Sequence, residues 1–430
     1  MTIPELYELF LQNRKVVIDS RKVASGCMFF ALKGANFDGN KFATDAINNG
    51  AAFSIIDNPD FEDGERTILV EDVLKTLQDL SHHHRLQIKA PIIGLTGSNG
   101  KTTSKELISS VLAQKYRVHF TKGNFNNHIG VPLTLLEMPN DTEIAVIEMG
   151  ANHQGEIDFL SNIAAPSHGL ITNIGKAHLE GFGGIEGVKK GKSELYRYLL
   201  KSKGLAFLNI DEPFLKELLP EEVRRIEYGS IPNQDFSFQL LSNHPFLKVA
   251  YKGRVEESFE MDSQLMGQYN YANIITAATI GLYFKVPVEA IKKGISSYIP
   301  SNNRSQIVQK DGYELILDAY NANPNSMKLA LENLLTRSFE RKIAILGHML
   351  ELGTDSPSEH DSIVSFCKEN DLDKVILIGN EFKNASETYG FLFFENVEKA
   401  KAWFDQQDFK GASVLIKGSR GVGLEKLVQE

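Results

Sequence analysis

The stretch GLTGSNGKTTS, residues 94–104, carries residue types that can hold phosphate. Its glycines let the backbone bend until several N–H groups point inward at anionic oxygens. A helix opening behind the loop adds a field that favours anions. Thr96, Gly97, Ser98, Asn99, Gly100, Lys101, Thr102 and Thr103 are the candidate contacts. Lys101 would reach the outer phosphates of a nucleotide, and the Thr102 hydroxyl would bind magnesium. The general P-loop pattern asks for glycine five residues before Gly100, where this chain has Leu95. The plain alternative is a tight strand–helix turn with a chance Gly-Lys-Thr. An apolar strand before the loop and an amphipathic helix after it favour the phosphate site.

Other chemistry-bearing residues follow along the chain. Glu148 ends the apolar run in VIEMGAN (146–152). A carboxylate there could hold magnesium beside the loop, or simply cap a strand in solvent. TNIGKAHLEGFGGIEGVKKGKSELYRYL (172–199) offers His178, Glu180, Lys189, Lys190 and Lys192. Taken singly, such a histidine is more often structural and such lysines more often a solvated helix face. Asn270 and Asn273, near the start of a helix in 267–284, could read an adenine edge or merely cap that helix. Asp318 ends a strand before the amide-rich loop of LDAYNANPNSM (317–327). Arg420, in LIKGSRG (415–421), could grip a carboxylate with both arms of its fork.

These residues need strands that end together. APIIGLTG (90–97), EIAVIEMG (143–150) and HGLITNIG (168–175) read as buried strands closed by glycine, with TSKELISSVLAQK (103–115) as a helix. Strands alternating with helices over 89–301 predict a mostly parallel sheet, and the polar alternation at 226–262 predicts antiparallel strands added to it. ELILDAY (314–320), KIAILGHM (342–349), KVILIGN (374–380) and SVLIKGS (413–419) predict a Rossmann-like, doubly wound sheet over 302–430. Residues 1–88 form a smaller α/β unit, with strands in 27–32 and 51–57 and a helix in 41–50. The expected organisation is therefore α/β throughout, in three domains, 1–88, 89–301 and 302–430. YIPSNNRSQ (298–306) is the expected second linker.

Bulk composition removes several function classes. Net charge is −9, from 46 basic and 55 acidic residues, which argues against a general nucleic-acid binder. Cys27 and Cys367 stand alone, without metal or disulfide spacing, and are expected to be buried thiols. His82, His83 and His84 cannot all face one metal from a helix and are expected at a solvated helix end. Met1–Lys22 carries Glu5, Glu8 and Asp19 and no long apolar run, so it does not read as a signal peptide. No stretch reaches the roughly 18 apolar residues of a membrane span. A cytoplasmic protein without membrane insertion is expected.

Taken in order, these motifs resemble those of the Mur ligase family over nearly the whole chain. DSRKVASGCMFFALKGANFDGNKF (19–42) is similar to the family's N-terminal domain, which holds the UDP end of the precursor. TGSNGKTTSKE is similar to its ATP loop, and AHLEGF followed by VKKGKSE to its second magnesium site. DAYNANPNSM, LGHMLELG and KGSRG point within the family to the branch that joins D-alanyl-D-alanine to UDP-N-acetylmuramoyl-tripeptide. The Asp-Asn-Pro-Arg motif of the preceding ligase is absent.

By that resemblance Lys101 and Thr102 bind ATP phosphates and Mg2+, Glu148 bridges to magnesium, and His178 holds a second ion. Lys192 matches the lysine that the family carbamylates, and Lys101, His178 and Lys192 form the catalytic set. Asn270 or Asn273 meets adenine, Arg304 and Asp318 contact the nucleotide, and Asn127 lies near the γ-phosphate. Ser20 and Arg21 lie near the uridine, and Arg420 clamps the dipeptide. His348 departs from the Gly-Asp-Met usual in relatives. The implied partners are those two small substrates; no nucleic-acid partner and a monomer are expected. The rivals are a folylpolyglutamate synthase-like ligase, against which the DSR…DGNKF segment argues, and a nucleotide switch, which needs no second metal.

Overall fold

The computed structural model describes residues 1–232, 234–253, 258–300 and 303–429. The expected linker falls partly on Ser301 and Asn302, which lie outside the described residues, as do parts of the 226–262 segment.

Residues 1–88 carry a four-stranded parallel sheet in the order Val16–Val17, Met28–Phe30, Phe53–Ile56, Thr67–Leu69. Helix Ile3–Gln12 starts with a capping box between Thr2 and Glu5, and helix Val73–Gln87 is capped by Asp72. Phe10, Met28, Phe30, Ile55, Leu77 and Leu80 share one core, which Leu136 joins from the next unit. His84 corrects the expectation of a solvated helix end, because it is fully buried. Its Nδ1 meets Tyr7 Oη at 3.0 Å and its Nε2 meets the Met138 carbonyl at 2.9 Å. The carbonyl can only accept, so Nε2 carries the proton and Nδ1 accepts from the phenol. Burial lowers the His84 pKa.

The central sheet runs Phe259–Asp262, Lys248–Lys252, Phe236–Ser242, Arg224–Gly229, Leu205–Asn209, His168–Ile171, Ile92–Thr96, Ile144–Glu148, Val118–Phe120. Antiparallel pairing begins only at Phe236–Ser242 with Lys248–Lys252; Phe236–Ser242 itself meets Arg224–Gly229 in parallel. Strand Ile92–Thr96 is buried along its whole length, with helices covering both faces. The phosphate-loop helix Lys101–Leu112 lies against helix Asn270–Tyr283.

The C-terminal sheet runs Gln306–Lys310, Tyr313–Asp318, Ala412–Lys417, Arg341–Gly347, Lys374–Ile378, Leu392–Phe394, parallel except at the first edge hairpin. The chain before residue 300 also enters this unit. The Met266 side chain is buried and belongs to the same hydrophobic cluster as Ile316, Ala322 and Met327 of the C-terminal core. Both cysteines are buried, and burial pushes the Cys367 thiol up to about 12. Among the described residues no helix is long and apolar enough to cross a membrane.

Candidate active site

Strand register delivers three segments to one end of the central sheet, where its parallel strands finish. Leu95 pairs with Glu148, and Thr96 with Ile171. The phosphate loop, the Glu148 carboxylate and the segment from Thr172 onward therefore leave the sheet side by side. Gly97 (φ +148°) and Gly100 (φ +77°) take conformations that suit glycine. A Cβ at residue 97 would stand 1.9 Å from Thr172 Oγ1. The same hydroxyl donates to the Asn99 carbonyl at 2.6 Å, and Asn99 N–H donates to Asn173 Oδ1 at 2.9 Å. Ser98 Oγ donates to the Gly175 carbonyl at 3.0 Å. The loop is thus braced from behind.

Lys101 Nζ curls over the loop and donates to the carbonyls of Gly97 and Ser98 at 2.7 and 3.2 Å. Desolvation lowers its pKa, with Glu148 opposing. Thr102 Oγ1 lies 3.2 and 3.0 Å from the two Glu148 oxygens, and Asn126 Nδ2 donates to that carboxylate at 2.8 Å. Buried Lys105 stands 3.9 Å from Glu148 and has no hydrogen-bond partner. A hydroxyl and a carboxylate at a phosphate loop suit Mg2+, which takes one or two carboxylates plus phosphate oxygens. Among the described residues no three His, Cys, Asp or Glu side chains form a ready metal cage.

Lys192 is not on a solvated face. It is 1% exposed, donates to the Ala151 carbonyl at 3.1 Å, and sits 5.0 Å from the centre of the Phe182 ring. Burial drives its pKa well below the ordinary lysine value, and the Lys101 charge adds to this. His178 has φ +52°, and its Nδ1 stands 2.5 Å from Glu351 Oε2 of the C-terminal unit. That contact lowers the Glu351 pKa.

The two asparagines of helix Asn270–Tyr283 are joined to each other. Asn273 Oδ1 accepts from Ser104 Oγ at 2.8 Å, and Asn273 Nδ2 donates to Asn270 Oδ1 at 2.8 Å. Asn270 Nδ2 then donates to the Met266 carbonyl at 2.7 Å. This relay runs from the phosphate-loop helix to the residue planted in the C-terminal core. Each amide keeps one N–H beyond it.

Across the cleft, Asp318 and Lys417 pair in register, and Lys417 Nζ donates to Asp318 Oδ2 at 2.6 Å. The Arg304 guanidinium lies 3.5 Å from the Tyr320 ring centre, and that of Arg420 lies 5.2 Å from it. Asn323 caps helix Pro324–Leu335 and donates to Asn99 Oδ1 at 2.7 Å. Tyr269 Oη and Ser305 Oγ meet at 2.8 Å.

One cavity of about 950 Å³ joins these walls. It is lined by Ser98 to Thr103, Asn127, Glu148, His178, Asn270, Asn273, Arg304, Asp318 and Arg420. Thr96, Gly97 and Lys192 lie behind its surface. Ser20 and Arg21 are not brought to it; Arg21 lies exposed, paired with Asp19 at 2.9 Å. Asn127 Oδ1 accepts from the backbone N–H groups of Ile129 and Gly130 at 3.1 and 2.8 Å, which leaves its NH2 for the cleft. Asn126, Lys105, Tyr320, Lys417 and Glu351 are cleft or supporting residues that sequence reasoning did not single out. Glu212, also on the cavity wall, is pushed by burial to about 7. The strand ends carrying Tyr320 and Lys417 were visible signals; the neighbours of Glu351 lie on another unit.

His348 stacks over Gly379, where a Cβ would stand 1.8 Å from its Nδ1, and pairs with Glu381 at 3.0 Å. The departure at this position is accommodated inside the C-terminal unit.

Comparison with known proteins places this cleft in a family context. Residues 14–85 match the model of the Mur ligase family catalytic domain, 95–281 the Mur ligase middle domain, and 303–420 the Mur ligase glutamate ligase domain. A UDP-N-acetylmuramoyl-tripeptide–D-alanyl-D-alanine ligase of Bacillus subtilis is 36% identical, covering 96% of this chain and 92% of its own. The crystal structure of MurF from Acinetobacter baumannii is 32% identical, with TM-score 0.87 over 99% of this chain and 97% of its own. MurF ligase from Thermotoga maritima in complex with ADP is 28% identical, with TM-score 0.85 over 97% of each chain. With such similarity running from one end of the sequence to the other, and the phosphate loop at its centre, the chain belongs to the Mur ligase family.

Proposed function

We propose that the protein is an ATP-dependent ligase that adds D-alanyl-D-alanine to UDP-N-acetylmuramoyl-tripeptide through an acyl phosphate, in peptidoglycan precursor synthesis. The observation that carries this reading is one shared cleft, with a braced phosphate loop and Glu148 on one wall and Asp318, Lys417 and two arginines on the other. A carboxylate is a poor electrophile, and phosphorylation gives it a good leaving group. The protein's task is then to align the reactants, neutralise charge and exclude water.

Lys101 and the loop N–H groups cradle the phosphates. Thr102 and Glu148 would hold Mg2+, which would neutralise the charge on the transferring phosphoryl group. Asn127 lies by the γ-phosphate; the remaining N–H of Asn270 or Asn273 meets adenine; Arg304 and Asp318 contact the nucleotide. Arg420 takes the dipeptide carboxylate. Lys192, as a carbamate, and His178 would hold a second ion. Ser20 and Arg21 lie outside the cleft, and belong with the distant UDP end of a long substrate. In this assignment residues 1–88 bind the UDP precursor, 89–301 bind ATP, and 302–430 close the site. One chain supplies both walls, so a monomer suffices, and the substrates place the enzyme in the cytoplasm.

The test is to supply ATP, D-alanyl-D-alanine and UDP-linked tripeptides bearing lysine or diaminopimelate. Mass spectrometry should show a pentapeptide, with ADP and phosphate released only when the dipeptide is present. Efficient addition of a single amino acid to a dipeptide precursor, or phosphate release without any acceptor, would overturn the assignment.

A further inference from the structure

Arg304 stands between two residues with left-handed backbone, Asn303 (φ +56°) and Ser305 (φ +49°). Such conformations are uncommon outside glycine and persist where neighbours hold them. Here the neighbours do. The Tyr320 N–H donates to the Asn303 carbonyl at 3.3 Å, and the Ser305 N–H donates to Asp318 Oδ1 at 3.0 Å. The hydroxyls of Ser305 and Tyr269 meet at 2.8 Å. The end of strand Tyr313–Asp318 and the residues after it thus clamp the turn, and the side chain that the turn presents is Arg304.

The same segment supplies what that side chain rests on. The Arg304 guanidinium carbon lies 3.5 Å from the centre of the Tyr320 ring, and that of Arg420 lies 5.2 Å from the same centre. Two cations at one ring repel each other, and the common remedy is a carboxylate. Lys417 close by has one, Asp318. Among the described residues neither Arg304 nor Arg420 has an ion-pair partner. The negative face of an aromatic ring attracts a guanidinium without accepting its N–H groups, so the donors of both forks stay free for oxygen ligands. Both arginines and Tyr320 line the cleft. The Arg304 charge is felt on the opposite wall: desolvation lowers the Lys101 pKa, Glu148 opposes this, and Arg304 lowers it further.

We propose that Tyr320 is the positioning residue of this wall: its ring is the shared platform that holds Arg304 and Arg420 toward the cleft with their donors unspent. The inference rests on the ligase reading for what the two forks then meet, the nucleotide at Arg304 and the dipeptide carboxylate at Arg420.

The experiment uses the full chain. Calorimetry with a non-hydrolysable ATP analogue measures nucleotide affinity without turnover. Tyr320→Leu should weaken it roughly 2- to 30-fold, and Tyr320→Phe, which keeps the ring, should restore it. Arg304→Gln completes a double-mutant cycle: with Arg304 gone, Tyr320→Leu should cost little more, a result that a merely structural tyrosine would not give. In turnover, Tyr320→Leu should raise the KM for D-alanyl-D-alanine by a similar factor, and that rise should vanish in an Arg420→Gln background. Tyr320→Gln repeats both arms if the leucine variant does not fold. Unchanged nucleotide affinity without the ring, an equal loss in Tyr320→Phe, or additive losses in the cycle would overturn the proposal. An unchanged dipeptide KM would strike Arg420 from it. A wild-type protein that binds nucleotide but does not ligate would remove the ligase reading and leave the nucleotide arm to decide the role of Tyr320.

Discussion

Asn323 does two jobs that one substitution can separate. Its Oδ1 accepts from Ser326 N–H at 2.9 Å and so caps helix Pro324–Leu335. Its Nδ2 donates to Asn99 Oδ1 in the phosphate loop at 2.7 Å. Serine caps helices about as well as asparagine but is too short to reach Asn99. Asn323→Ser should therefore leave the melting temperature unchanged while removing one contact between the units. A neutral hydrogen bond contributes about 1 kcal/mol net. At about 1.4 kcal/mol per decade this is a roughly fivefold loss in the docked population. The KM for ATP should rise by about that factor, and small-angle scattering with an ATP analogue should show less compaction than in wild type. Asn323→Asp should lie close to wild type, because the Asn99 amide can turn and donate to the new carboxylate. Asn323→Ala should lose both jobs, with a further ~1 kcal/mol of stability from the missing cap. Wild-type KM and compaction in Asn323→Ser would refute the reasoning.

Lys101→Ala should abolish turnover and leave the circular dichroism spectrum and melting temperature near wild type; substantial ligation by the folded variant would sink the assignment. Burial holds the Lys192 pKa well below that of an ordinary lysine, which raises the fraction of neutral amine able to add carbon dioxide. Lys192→Ala should accordingly be nearly inactive and partly rescued by acetate or formate, and a fully active variant would end the carbamate reading. His84 should make the protein acid-sensitive. The unfolded chain gains a proton as pH falls through about 6.5, while buried His84 resists it until lower pH. Its contribution is therefore complete above about 6.5 and lost as pH falls toward the depressed folded value. In melting scans between pH 7.5 and 5, His84→Gln should show a shallower decline than wild type.

The strand–loop–helix around Lys101 was legible because its parts are contiguous: an apolar run, glycines where the backbone must bend, then helical spacing. Asp318 was legible for the same reason, as a polar residue ending an apolar strand. The edge strand Gln306–Lys310 was not, since neither of its faces is fully buried and its pattern carries little signal. His84 misled because it is one of three adjacent histidines, and only packing against Tyr7 and Met138 distinguishes it. Asn270 and Asn273 offered the right groups for an adenine edge, but sequence could not show that Ser104 and Met266 already engage them. Glu351 could not be found locally at all. Its meaning depends on His178, which a separate sheet positions.

Met266 ties the two bodies together. Its side chain is buried as part of the C-terminal core, while its carbonyl receives Asn270. Pulling the two bodies straight apart would unseat an apolar side chain, at about 1.5–3 kcal/mol. The amides of Asn270 and Asn273 link that seat to Ser104 under the phosphate loop. A nucleotide that tightens the loop would thus pull on the seat of Met266 through three hydrogen bonds.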